Sequence, residues 1–241
     1  MVAEAHEDIG SFAASCRTLQ QYGVEGILSL AHDYPGREAQ LKRQFRSIER
    51  IVFIGKPCFD TSTYVNVNRA HGVNEALAHL RRSGRQRIGL CAFDSHGFPT
   101  KQRTEAFLEE AKAQGERQPH KMILPVSYDQ PAIERNVRAC TPFVLGAELD
   151  AILMPNDLHA LALMGELKRN VIDVPGKIAV VGYDNEPFAA LVSPKLSSID
   201  ECAEAQASTA VRLLEAIISG TRNREEPPPE VKTWFVARES T

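Results

Sequence analysis

No stretch of this 241-residue sequence approaches the roughly 20 consecutive apolar residues that a membrane-spanning helix needs, so no membrane span is expected. A basic surplus is missing too: 28 Lys and Arg face 31 Asp and Glu, a formal net charge of −3. Non-specific grip on DNA comes from clustered cations that neutralise phosphates, and composition offers no such face. The five cysteines, Cys16, Cys58, Cys91, Cys140 and Cys202, are odd in number, widely spaced and without a C-x-x-C. That pattern argues against a disulfide framework and fits reduced thiols. No H-E-x-x-H or Cys/His cluster occurs, and His71 and His79 stand too far apart along a helix to share an ion. G-x-G-x-x-G and the P-loop are likewise missing, so neither a metal nor a cofactor is expected. The amino terminus shows no basic start followed by an apolar run; with no secretory signal visible, the expected setting is the cytoplasm.

Hydrophobic residues at 43% and charged residues at 24% are ordinary for a soluble globular chain, and this length allows one domain or two closely joined lobes. Helix and strand patterns alternate along it. Ile9, Phe12, Ala13, Cys16 and Leu19 have helical spacing, and Glu25–Leu30 reads as a strand. A helix over about 36–47 precedes the strand Ile51–Ile54, and Tyr64–Asn68 leads into a helix through Arg69 to Arg82. Strands are expected at Ile88–Phe93, Met122–Val126, Ala151–Met154 and Ile178–Val181. Helices are expected at Thr100–Gln114, Pro131–Leu145 and from Leu158 on. A helix Glu201–Ser219, a stiff Glu225–Glu230 connector with three prolines and a single final strand from Val231 close the chain. Consecutive apolar residues such as Ile178–Val181 suit strands buried on both faces of a parallel sheet.

Ligands of open parallel sheets bind beyond the carboxyl ends of the strands. Asn156 follows one such end and Asp184 another, so the two are expected to face one site. Arg103 adds a rigid fork of donors. Each has a plainer reading: Asn156 or Asp157 as a helix cap, Asp184 as a stabiliser of its own loop, Arg103 as half of a surface salt bridge. Asp94-Ser95-His96 invites comparison with a hydrolase, but neighbours on one loop rarely form a nucleophile, base and orienting group, and no G-x-S-x-G elbow exists. Ser95 and His96 are therefore read as ligand contacts, and no enzyme is expected.

Three segments occur in an order that resembles the lactose-repressor (LacI/GalR) family of bacterial transcription regulators. Met154-Pro-Asn156-Asp157-Leu-His-Ala160 is similar to the family's a-n-D-x-x-A. Val174-Pro-Gly-Lys-Ile-Ala-Val-Val-Gly182-Tyr-Asp184-Asn resembles v-P-x-D-i-x-V-x-G-[FY]-D-[DN], and Pro194-Lys-Leu-Ser-Ser-Ile199 resembles P-x-L-T-T-[VI]. Arg103-Thr-Glu-Ala106-Phe107 is similar to R-x-x-G-[FYW], with Ala106 in place of Gly, and Asn68 replaces a usual Asp. The resemblance implies an α/β, two-lobe periplasmic-binding-protein-like (type I) fold, with parallel sheets flanked by helices. One lobe would be 1–85 with 190–226 and the other 86–189 with 227–241. Chain crossings would fall near Gly84–Arg87, between Asp184 and Pro194, and near Pro227–Pro229. Measured against the family pattern, the amino-terminal lobe is incomplete: the DNA-binding headpiece and the first β-α-β are missing.

That resemblance also implies a function, the effector-binding and dimerisation portion of a regulator sensing a small sugar-like metabolite between its lobes. Its implied contacts are Asn68, Ser95, His96, Arg103, Tyr128, Asn156, Asp184 and Glu201. Implied partners are the small-molecule effector and a second copy in a homodimer, with DNA reached only through a headpiece outside this sequence and no membrane. The alternative is a periplasmic-type solute-binding protein for a sugar, which shares the fold.

Overall fold

The computed structural model describes residues 9–31, 38–45, 48, 50–59, 61, 63–95, 98–223 and 225–241. The chain forms two compact units: Met1–Asn68, His96–Phe98 and Ala203–Val231 make one, and Arg69–Ser95, Pro99–Cys202 and Lys232–Thr241 the other. Its elements in order are α1 (Ile9–Gln21), β1 (Ile27–Leu30), α2 (Glu38–Phe45), β2 (Ile51–Ile54), β3 (Tyr64–Asn68), α3 (Arg69–Arg82), β4 (Ile88–Phe93), α4 (Phe98–Ala113) and β5 (His120–Leu124). Then come α5 (Gln130–Gly146), β6 (Ala151–Leu153), α6 (Asp157–Arg169), β7 (Ala179–Tyr183), β8 (Ser197–Asp200), α7 (Ala203–Ile218), β9 (Glu230–Lys232) and β10 (Trp234–Val236).

In the first unit, the sheet order is β1-β2-β3-β9, with β1, β2 and β3 mutually parallel. Phe12, Phe45, Phe53 and Phe59 meet there edge-on or stacked, with ring centroids 5.0 to 5.6 Å apart. Such pairs add about 0.5–1.5 kcal/mol each beyond the area they bury.

The second unit carries the larger sheet, ordered β10-β8-β7-β6-β4-β5, parallel throughout except for β10. Both its faces are covered. On one, Ile133, Val137, Cys140 and Val144 of α5 and Leu163 and Leu167 of α6 meet Ile152 and Val180. On the other, Val73, Ala76, Leu77 and Leu80 of α3 and Phe107 of α4 meet Leu90, Leu153 and Val181. This two-sided cover is why β4, β6 and β7 read as unbroken apolar runs. From β4 the chain goes to β5 on one side and returns to β6 on the other, so the order reverses between β4 and β6. That is where ligands of doubly wound sheets bind.

The boundaries differ from those expected. Residues 69–85 and 190–202 lie in the second unit rather than with the amino-terminal lobe, because α3 packs on the larger sheet and β8 pairs with β7 through Val181↔Ser197, Gly182↔Ser198 and Tyr183↔Ile199; residues 227–231 lie in the first unit, where β9 joins β3. The chain accordingly changes unit after Asn68, around Ser95–Pro99, after Cys202 and after Val231. The single final strand is two strands in different sheets, divided at Thr233. This buried residue accepts the Gly72 N–H on its Oγ1 at 3.1 Å and donates from it to the Arg69 carbonyl. All five cysteines are free. Among the described residues, no helix is long and apolar enough to cross a membrane.

Gly182 of β7 shows how tightly the sheet is joined to α6. An added Cβ would lie 2.0 Å from Asp157 Oδ1 and 3.1 Å from Leu196, so the carboxylate occupies the space a side chain would need. Gly182→Ala is expected to destabilise the chain by about 2–4 kcal/mol, because Asp157 must move and give up its buried hydrogen bonds. Urea unfolding measures this, and a change under about 0.5 kcal/mol, the level of an ordinary surface substitution, would contradict the packing.

Candidate functional site

The site is built at the carboxyl ends of β7 and β8. Past Tyr183 the backbone turns through positive φ at Asp184 (99°) and Asn185 (53°). Asp and Asn tolerate that region better than most residues, yet each such residue still costs on the order of 1–3 kcal/mol. Neighbouring groups hold the strained turn at three successive amides. Asp184 N–H donates to the Ile199 carbonyl at 2.9 Å, Asn185 N–H to Ser198 Oγ at 3.0 Å and Glu186 N–H to Asp157 Oδ2 at 2.7 Å. Asp157 is fully buried, and Ser198 Oγ donates to its other oxygen at 2.6 Å. Burial raises the Asp157 pKa, against the hydrogen bonds from Ser198 and Glu186.

Arg103 reaches this turn from the first half of α4. Its guanidinium carbon lies 3.3 Å over the Tyr183 ring, a cation–π contact. Nη1 donates to the Pro155 carbonyl at 3.3 Å, across the reversal point from β4 to the end of β6, and Nη2 donates to Glu201 Oε1 at 2.7 Å. Arg69, the first residue of α3, places Nε 2.9 Å from the same oxygen. Burial disfavours both charges of the Arg103–Glu201 pair. For Glu201 the two arginines outweigh it and lower the pKa; for Arg103, Tyr183, Glu201 and Asp184 outweigh it and raise the pKa. The Tyr183 hydroxyl is buried beside Glu201 without a well-formed hydrogen bond. Burial first, then the carboxylate, push its pKa up, so it stays a proton donor.

Asp184 completes the arrangement. Its residue surface is open, but its carboxylate is set among protein groups. That desolvation, with Glu201, Asp157 and Glu186 nearby, raises its pKa to about 6 against the pull of Arg103. The cluster thus holds buried donor nitrogens at Arg103 Nε and Arg69 Nη1 that have no protein partner, the Tyr183 hydroxyl, and the partly desolvated Asp184 carboxylate. Below it a cavity of about 30 Å³, lined by Phe93, Thr100, Arg103, Gly182 and Tyr183 among others, has room for about one water molecule. Among the described residues no group of three or more His, Cys, Asp and Glu is placed to hold a metal ion.

A family model for a periplasmic binding protein-like domain matches residues 77–241, more than half of the chain and the whole of this cluster except Arg69. The chain belongs to that family. Its sequence relatives include an HTH-type transcriptional regulator of Streptomyces limosus, 27% identical over 86% of this chain and 60% of that protein. The chain spans about three fifths of the length of the first curated relatives it matches. Among solved structures, a LacI-family sugar-binding regulator of Escherichia coli, complexed with phosphate, superposes with a TM-score of 0.83 at 17% identity, over 100% of this chain and 85% of the other. A periplasmic binding protein/LacI regulator of Alkaliphilus metalliredigens, complexed with D-xylulofuranose, gives 0.81 at 21% identity over 100% and 86%.

Within this periplasmic-binding-protein-like chain the expected site residues separate. Arg103, Asp184 and Glu201 come together. Asn156 instead caps α6: its Oδ1 accepts the His159 N–H at 3.0 Å and His159 Nδ1–H at 2.7 Å, which leaves only its amide hydrogens for any other partner. The neighbouring Asp157, rather than Asn156, reaches the Asp184 turn. Ser95 lies exposed two residues past the end of β4, with its N–H on the Phe93 carbonyl at 2.8 Å. Tyr128, largely exposed, sets its ring edge-on to Phe93 at 6.1 Å and lines a groove between α5 and α6 rather than joining the ion cluster. Asn68 belongs to the first unit, where Nδ2 points at Glu230 Oε1 at 3.5 Å. His96 lies outside the described residues. Arg69 and Tyr183, which sequence reasoning did not single out, are members of the cluster. The one advance signal was Tyr183, an aromatic ring closing an apolar strand.

His159 anchors the end of β6 from beneath. With Nδ1–H given to Asn156, Nε2 is left to accept from the Ser127 hydroxyl at 3.2 Å and the Asn136 amide at 3.4 Å, so the fully buried ring is neutral. Burial lowers its pKa from 6.5 to about 4. The unfolded chain therefore takes up a proton that the folded one refuses, and stability present above pH 6.5 is lost as the pH falls toward 4. The whole shift is worth roughly 3 kcal/mol. An NMR titration should show the ring C–H resonances of His159 moving near pH 4, and a midpoint near 6.5 would mean the ring is solvated.

Proposed function

We propose that this chain is the effector-binding portion of a LacI/GalR-type transcription regulator. A small hydroxylated metabolite, sugar or sugar-like, is held at the carboxyl edge of the larger sheet by Arg103, Asp184 and the donors around Glu201. The observation that carries this reading is the convergence of Arg103, Tyr183, Asp184 and Glu201 on one turn held in strained backbone geometry. Rigidly held donors beside a carboxylate are what recognition of hydroxyl groups requires. Regulator relatives and the sugar-complexed fold neighbour support it. Ser95 and the Asn156 amide stand at the adjacent strand ends β4 and β6 and extend the same edge. Effector binding would favour one arrangement of the polypeptide over another and pass that difference through a homodimer to DNA-binding heads supplied outside these residues. The protein would act in the cytoplasm.

A thermal-shift screen against neutral sugars and nucleobases tests this reading. A ligand that raises the melting temperature of the unaltered chain is expected to bind at least about ten-fold more weakly to Arg103→Ala and to Asp184→Ala, a loss of about 1.4 kcal/mol or more. Equal binding by both variants, or no hit from the whole screen, would sink the assignment.

A further inference from the structure

The charge balance of this cluster deepens the reading just given and rests on it. Nη2 of Arg103 belongs to both two-pronged faces of the guanidinium, the side face with Nε and the end face with Nη1. It is that nitrogen which binds Glu201 Oε1, at 2.7 Å. Arg69 Nε reaches the same oxygen at 2.9 Å. One carboxylate oxygen thus engages both cations. The acidic groups around the turn are Glu201, Asp184, Asp157, Glu186 and Asp200; the cations are Arg103, Arg69 and Arg238, the last held by the Asn185 side chain and the Leu196 carbonyl. A phosphate or carboxylate entering there finds both forks of Arg103 engaged through Nη2 and the Nε side of Arg69 taken, and it meets the carboxylates of Glu201 and Asp184. In a largely desolvated site such like-charge contacts are costly, because water cannot screen them. An uncharged hydroxyl meets the opposite situation: Arg103 Nε and Arg69 Nη1 are buried and without a protein partner, and they can satisfy a neutral oxygen without displacing Glu201.

We propose that Glu201 is a specificity-determining residue that closes this site to anionic ligands, by holding the Arg103 guanidinium that an anion would take, and so restricts it to uncharged hydroxylated molecules. Glu201→Gln keeps the shape and the hydrogen-bond acceptor but removes the charge, which leaves the two arginines electrostatically available.

Inorganic phosphate is the probe, applied to the full chain by thermal shift, with sodium chloride at matched ionic strength as the reference. The unaltered chain is expected to show no phosphate-specific stabilisation. Glu201→Gln is expected to bind phosphate at least about ten-fold more tightly than the unaltered chain, Glu201→Asp to show no gain, and adding Arg103→Ala to Glu201→Gln to abolish it. Phosphate-specific stabilisation of the unaltered chain that Arg103→Ala removes would overturn the proposal, as would a cooperatively melting Glu201→Gln with no gain. If Glu201→Gln fails to melt cooperatively, the unaltered chain decides alone: stabilisation overturns the proposal and its absence supports it. A chain that binds phosphate through Arg103 still has an effector site, so that failure is distinct from the failure of the neutral-ligand screen.

Discussion

One carboxylate oxygen, Oε1 of Glu201, accepts from both Arg103 and Arg69, and the geometry of the site depends on it. Without it two cations would be held together in a partly buried region, with Asp184 the carboxylate left acting on Arg103. With it, the Arg103 guanidinium is held over the Tyr183 ring and reaches the end of β6. Ion pairs with limited exposure contribute modestly to net stability, because desolvation offsets much of their attraction, but breaking one leaves an uncompensated charge. The consequence here is orientation: Arg103 is held between the Tyr183 ring, the Pro155 carbonyl and Glu201.

A second constraint holds the other half of the site. Asp184 and Asn185 adopt left-handed backbone angles that cost free energy, and the return comes from three amide hydrogen bonds and the buried Asp157. Gly182 is part of the same device, since only the absence of a Cβ lets the Asp157 carboxylate approach β7. Sequence order therefore hides a physical unit: the start of α6, the end of β7 and the middle of β8 work together to display one carboxylate.

Much of this was legible in advance, and the misses share a cause. The parallel sheet, its buried strands and the surrounding helices follow from unbroken apolar runs alternating with helical spacing, and Arg103, Asp184 and Glu201 follow from position and motif. Strand β8 was not evident because Ser197 and Ser198 look like loop residues. Their polarity is satisfied by distant groups: Ser197 N–H donates to Ser240 Oγ, its hydroxyl accepts from Arg238 N–H, and Ser198 Oγ donates to Asp157. Arg69 was missed for the same reason, since its partner Glu201 lies 132 residues on. The terminal strand looked continuous because nothing local shows that Thr233 is bound to α3. Asn156 had two readings, a helix cap and a ligand contact; its oxygen serves the cap and the buried histidine, and its amide remains at the strand end.

The most direct measurement is a double-mutant cycle on unfolding free energy with Arg103→Ala, Glu201→Ala and the pair. If Glu201 holds Arg103 as described, the two changes are non-additive, with a favourable coupling of at least about 1 kcal/mol. A coupling indistinguishable from zero would mean that the arginine is positioned by something else, and the account of the site would fail.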